Sequence, residues 1–173
     1  MAAPDQPSTH VTRRGRTSAQ PGRQTAHILL LGAAAAGLVH AAFSLYWAAG
    51  GRWLLDTVGA WAVDLADRSP GPAVALLLAV AAVKIGGALC PLLNEVGRLP
   101  GSAATWRRVF LAGAVLLIAY GGLNTIGAWI GIAIDHTLTA PQLGHAALWD
   151  PLFLLWGVLL LLGTRANHRS FPV

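Results

Sequence analysis

Four long apolar stretches separated by short polar ones set the pattern of the chain, at about residues 26–49, 73–93, 109–134 and 149–163. None carries the regular polar stripe of a helix on the surface of a water-soluble fold. About 20 predominantly apolar residues cross the hydrocarbon core as one helix. The pattern therefore predicts an all-α polytopic membrane protein, a bundle of four transmembrane helices. Between the first two spans, Leu54, Val58, Trp61 and Leu65 share one helical face while Asp56, Asp64 and Asp67 point elsewhere. That segment predicts a short amphipathic helix lying in the interface, with tryptophan at headgroup level. Pro70-Gly71-Pro72 separates it from the second span, and Pro91 is expected to bend or end that span. Asp150 followed by Pro151 reads as an N-cap and first helical residue, so the last span is expected to begin there.

Composition agrees with this class: 55% of the 173 residues are hydrophobic and 11% charged. The net charge of +5 does not describe a nucleic-acid surface, because the arginines form no single basic face. Arg13, Arg14, Arg16 and Arg23 lie in the N-terminal segment, Arg98, Arg107 and Arg108 in the middle loop, and Arg165 and Arg169 after the last span. The two other loops hold only Arg52 and Arg68. Basic residues collect on the cytoplasmic side, which predicts a multi-pass protein of the cell membrane with both termini cytoplasmic. Residues 1–25 are too polar to order themselves and are expected to form a disordered basic tail, and residues 165–173 a short cytoplasmic one. The Arg13-Arg14 pair lacks the apolar residues and cleavage site of an export signal, so the first span is expected to stay uncleaved. One cysteine, Cys90, excludes an internal disulfide, a paired-thiol redox centre and a four-cysteine metal site.

Lys84 changes the picture most. It is the only lysine against eleven arginines, and it lies near the middle of the second span. A charge at that depth costs about 3 kcal/mol by insertion scales, so the other helices must offset it. Counting ~1.5 Å per residue from the outer ends places His40 ~12 Å, Asn124 ~15 Å and Lys84 ~18 Å deep. Each has Gly, Ala or Ser neighbours that let helices approach closely: Ser44 beside His40, Gly87 and Ala88 beside Lys84, Gly121 and Ala128 beside Asn124. Tyr46, Trp149 and Asp150 fall above this layer. The expectation is a polar pocket opening outward, floored by Lys84, His40 and Asn124 and rimmed by Tyr46, Trp149 and Asp150.

The stretches Tyr46-Trp47-Ala48-Ala49-Gly50-Gly51-Arg52-Trp53, Asp56-Thr57-Val58-Gly59 and Leu148-Trp149-Asp150-Pro151-Leu152-Phe153-Leu154-Leu155-Trp156-Gly157 carry a resemblance. The chain resembles a family of small four-span bacterial, largely actinobacterial, membrane proteins of unknown function, over about residues 26–164. The resemblance implies the fold and the location, and brings no catalytic residue with it.

Three functions follow as expectations. The pocket binds a small polar or anionic ligand or a lipid headgroup; the protein is a structural subunit packed on a larger membrane partner or on its own copies; or Lys84 and His40 perform acid-base chemistry as an intramembrane enzyme. No catalytic motif, metal-ligand spacing or cofactor motif is present, so no cofactor or metal is expected. A bis-histidine haem would need His145 or His136 to fold inward to His40.

Overall fold

The computed structural model describes residues 20–169, all of whose regular elements are helical. The N-terminal arginine-rich tail up to residue 19 and the last four residues lie outside the described residues. Helix α1 (Gln20–Ala48) begins before its apolar run and ends at Gly50, whose φ of 91° turns the chain. Turns lead to α2 (Ala60–Arg68), the amphipathic segment, with Arg52–Asp67 and Arg68–Asp64 ion pairs on its wet side. Helix α3 (Pro70–Glu95) takes proline in its first turn, where the missing N–H costs nothing. Pro91 sits inside its last turns without ending it. Helix α4 (Ala103–Asp135) starts six residues before the expected point. Ser102 caps it by accepting from Thr105 N at 3.3 Å, which draws Trp106, Arg107 and Arg108 into the helix.

The last span differs from expectation at its start. A capping box of Thr139 and Gln142 opens α5 (Ala140–Gly144), a π-helical turn follows over His145–Trp149, and α6 continues through Asp150–Arg169. Asp150 has helical φ and ψ of −77° and −38°, so it lies within a continuous helical path and is not an N-cap. The physical reason is Pro151. A proline inside an α-helix clashes with the carbonyl four residues back and lacks an N–H, and the wider π turn accommodates both defects.

The four helices long and apolar enough to cross a membrane pack in the order α3, α1, α6, α4. Helix α1 lies against α3 and α6, α6 also lies against α4, and α3 and α4 scarcely meet. The bundle is therefore open along one side. Its core is built from small residues around a few large ones: Ala33, Ala36, Ala88 and Ala114 with Leu30, Phe110, Trp156 and Leu160. In lipid, close approach rather than hydrophobic segregation drives such packing.

The α4–α6 seam shows the approach at its closest. A Cβ on Gly121 would lie 2.5 Å from both Asp150 O and Leu154 N, and one on Gly157 would lie 2.8 Å from Ile118 N. These neighbours are backbone and cannot rotate away. Gly121→Ala is expected to force α4 and α6 apart and lower stability by about 1–3 kcal/mol, measured as a drop in thermal midpoint in detergent. An unchanged midpoint would mean the seam is looser than this geometry requires.

Candidate functional site

Lys84 is half-buried on α3 and turns toward α1 and α6. Its Nζ donates to Ser44 Oγ on α1 at 3.1 Å and stands 5.6 Å from the centre of the Phe153 ring on α6. Ser44 is 1% exposed and directs its own proton to His40 O, one turn back, at 3.3 Å. The hydroxyl therefore offers a lone pair to the ammonium. Among the described residues no carboxylate pairs with Lys84. Its positive charge meets only a hydroxyl and a ring face, which leaves donors of the ammonium for something else.

His40 is 2% exposed. Its Nε2 lies 3.0 Å from Trp149 O, and since a carbonyl only accepts, Nε2 carries the proton. The imidazole stacks on Phe153 with centroids 3.9 Å apart. Phe153 thus joins the two polar residues: His40 lies over its ring and the Lys84 ammonium approaches it too. No hydrogen bond joins His40 to Lys84 directly, and Ser44 meets the backbone carbonyl of His40 and not its imidazole, so no hydrogen-bonded path among the described residues carries a proton between the two side chains.

Asn124 does not join this group. It is exposed, and its Nδ2 donates to Tyr120 O in its own helix at 2.8 Å. Its place on α4 explains this. Trp106, Gly113 and Leu117 form the stripe that faces α3, and Asn124 continues it two turns further. Helix α3 stands off across the open side, so Asn124 meets no partner from it.

The expected rim residues tie together the helix ends beside α2. The ring of Tyr46 covers Gly51, where a Cβ would have no room, and its hydroxyl accepts from Trp53 N at 3.4 Å. Trp149 is buried, donates from Nε1 to Thr57 Oγ1 at 3.0 Å, and packs edge-on to Phe43 and Trp47. Thr57 Oγ1 in turn donates to Leu54 O at 2.6 Å, holding Leu54 at a φ of 60° that a non-glycine residue rarely adopts. Asp150 is 1% exposed, with Oδ2 2.8 Å from His145 Nδ1. His145 Nε2 lies 3.2 Å from Val58 O and must donate to it, so one further proton lies between Nδ1 and Oδ2. Both nitrogens of His145 are engaged, which removes it as a haem partner for His40. Among the described residues no three His, Cys, Asp or Glu side chains gather as a metal site.

Two hollows meet at Lys84. A cavity of about 360 Å³ lies beneath α2, bounded by Trp47, Arg52, Leu55, Trp61 and Leu65, with Ser44 and Lys84 deep inside. A groove of about 740 Å³ lies along the open side between α3 and α4 and is floored by Phe153, Trp156 and Leu160. Val80 and Lys84 line both. Sequence reasoning missed Phe153 and the groove. Phe153 follows Asp150 at the three-residue spacing that shares a helical face, which is the signal that was available.

The fold and this arrangement define a multi-pass membrane protein with a lysine at the junction of an end cavity and a lateral groove. The chain belongs to the family described as protein of unknown function DUF3995, whose model matches residues 37–160 and so includes Lys84, His40 and Phe153. No curated protein and no solved structure matches the chain.

Proposed function

We propose that this protein, in the cell membrane of a bacterium with both termini cytoplasmic, binds an anionic amphiphile whose charged group meets Lys84 and whose chain lies in the α3–α4 groove. One observation carries the reading: a mid-span ammonium, unpaired with any carboxylate among the described residues, stands where a cavity and an apolar groove meet. An intramembrane charge is expensive and marks a functional site by default. A carboxylate or phosphate is its natural complement, and a charge-assisted hydrogen bond would add to the attraction. The groove runs beside residues 79–90 of α3, ~16 Å of helix, and is lined almost wholly by apolar side chains. Arginine in place of lysine nearly throughout an Ala- and Gly-rich chain supports the bacterial origin, and the arginine distribution supports the orientation.

Native mass spectrometry of the purified protein tests this with two probes of equal chain length, oleate and oleyl alcohol. Oleate is expected to be retained at one per protein and at least about tenfold more tightly than the alcohol. Equal retention of the two would remove the charge from the account and the reading with it.

A second reading rests on the same open side. The seam between α3 and α4 would also seat a helix of a larger membrane partner or of a second copy. Retention of oleate by the monomer favours the first reading; a stable oligomer that excludes oleate favours the second.

A further inference from the structure

At the opposite end of the bundle from α2, a third hollow of about 420 Å³ is lined by Asn94 at the end of α3, Ala103, Ala104, Arg107 and Arg108 in the first turns of α4, and Thr164 and Asn167 on α6. Its apolar wall is Leu30, Pro91 and Phe110. Two polar atoms here are buried without a hydrogen-bond partner among the described residues: Arg107 Nε and Thr164 Oγ1. Thr164 is 7% exposed. A buried unpaired donor costs about 1–3 kcal/mol, so two on one cavity point to something absent that accepts from both. The first turn of α4 adds to them. Ser102 caps only Thr105, and the amides of Ala103 and Ala104 belong to the turn that lacks intrahelical acceptors and carries the positive end of the helix dipole. Glu95, the nearest acid in sequence, does not line the hollow and is held by His27 Nδ1 at 2.9 Å.

We propose that this hollow is a phosphate site, in which the Arg107 guanidinium and Thr164 hydroxyl donate to phosphate oxygens, with Arg108 and the first turn of α4 supplying further positive charge. Arginine presents a planar fork that matches phosphate geometry, and basic pockets between spans at a membrane face hold anionic headgroups. The site lies at the membrane face where Arg98, Arg107, Arg108 and Arg165 gather, and its apolar wall would receive the start of an acyl chain. The phosphate could come from a lipid headgroup or from free phosphate; the chemistry is shared. Leu30, Thr164 and Asn167, three of the ten lining residues, lie beyond the family match.

The full-length protein in detergent is titrated with phosphatidylglycerol, with phosphatidylcholine of the same chains, and with inorganic phosphate, and binding is read by native mass spectrometry. Phosphatidylglycerol is expected to bind roughly tenfold more tightly than phosphatidylcholine, and Arg107→Gln to erase the difference. Thr164→Val, which keeps shape and removes the hydroxyl, is expected to reduce it severalfold. Displacement of the lipid by millimolar inorganic phosphate would assign the site to phosphate in general, and no displacement would assign it to lipid. No discrimination between the two lipids together with no binding of inorganic phosphate, or binding untouched by both substitutions, would overturn the proposal. Arg68→Gln, an exposed basic position at the opposite end of the bundle, serves as the control variant.

Discussion

Lys84→Met is expected to leave the protein inserted, raise its thermal midpoint and abolish the preference for oleate over oleyl alcohol. Methionine keeps the unbranched stem and its contact with Phe153 while removing the charge. Placing lysine at the centre of a span costs about 2.5–3.5 kcal/mol. The Ser44 hydrogen bond returns about 0.5–1.5 kcal/mol and the ring face about 0.5–1 kcal/mol. The balance favours methionine by about 1 kcal/mol. Lys84→Arg separates charge from shape: it retains the positive charge but not the compact ammonium between Ser44 and Phe153, and is expected to keep part of the oleate preference. The opposite outcome for Lys84→Met, a large loss of stability with ligand preference unaltered, would make the ammonium a structural plug and end the ligand reading.

Asp150→Ala is expected to destabilise the fold by about 3–5 kcal/mol, the largest loss from any single substitution considered. The carboxylate is buried with His145, and His145 also holds Val58 O of the α1–α2 connection. Removing Asp150 leaves His145 without its partner at the point where the π turn meets α6. Asp150→Asn retains the size and can donate to Nδ1 of a neutral His145, so its cost is expected to be about 1 kcal/mol. Thermal unfolding of the two variants in one detergent measures the difference. If alanine and asparagine cost the same, the His145 interaction is not what holds Asp150 there.

The spans were legible because apolar length is a coarse signal that lipid makes nearly compulsory. Helix ends were less so. Arg107 and Arg108 read as loop by charge, yet the Ser102 cap starts α4 ahead of them and both stand at helical positions. Asp150-Pro151 carried the local signature of a helix start, and the π turn over His145–Trp149, whose first residue bonds Asp150 five positions on, overrode it. Depth arithmetic brought His40 and Lys84 to one layer, and they share Ser44 and Phe153 there. The same arithmetic placed Asn124 with them. Depth says nothing of which helices are neighbours, and the order α3, α1, α6, α4 separates Asn124 from Lys84. The hollow near Arg107 left no pattern in the sequence, because its residues come from four helices.

The helix order also bears on how the protein is made. Spans emerge from the ribosome in the order α1, α3, α4, α6, and the first two can pack at once because they are neighbours in the finished fold. Helix α4 then enters the bilayer with no packed neighbour awaiting it, since its partner is α6, the last to be synthesised. Until residues 150–169 arrive, Gly121 and Ala114 face lipid instead of α6, and the Lys84 ammonium lacks Phe153. Assembly of these four helices is thus completed by α6, and a chain stalled before that point would present the insertion machinery with a paired hairpin and a solitary helix.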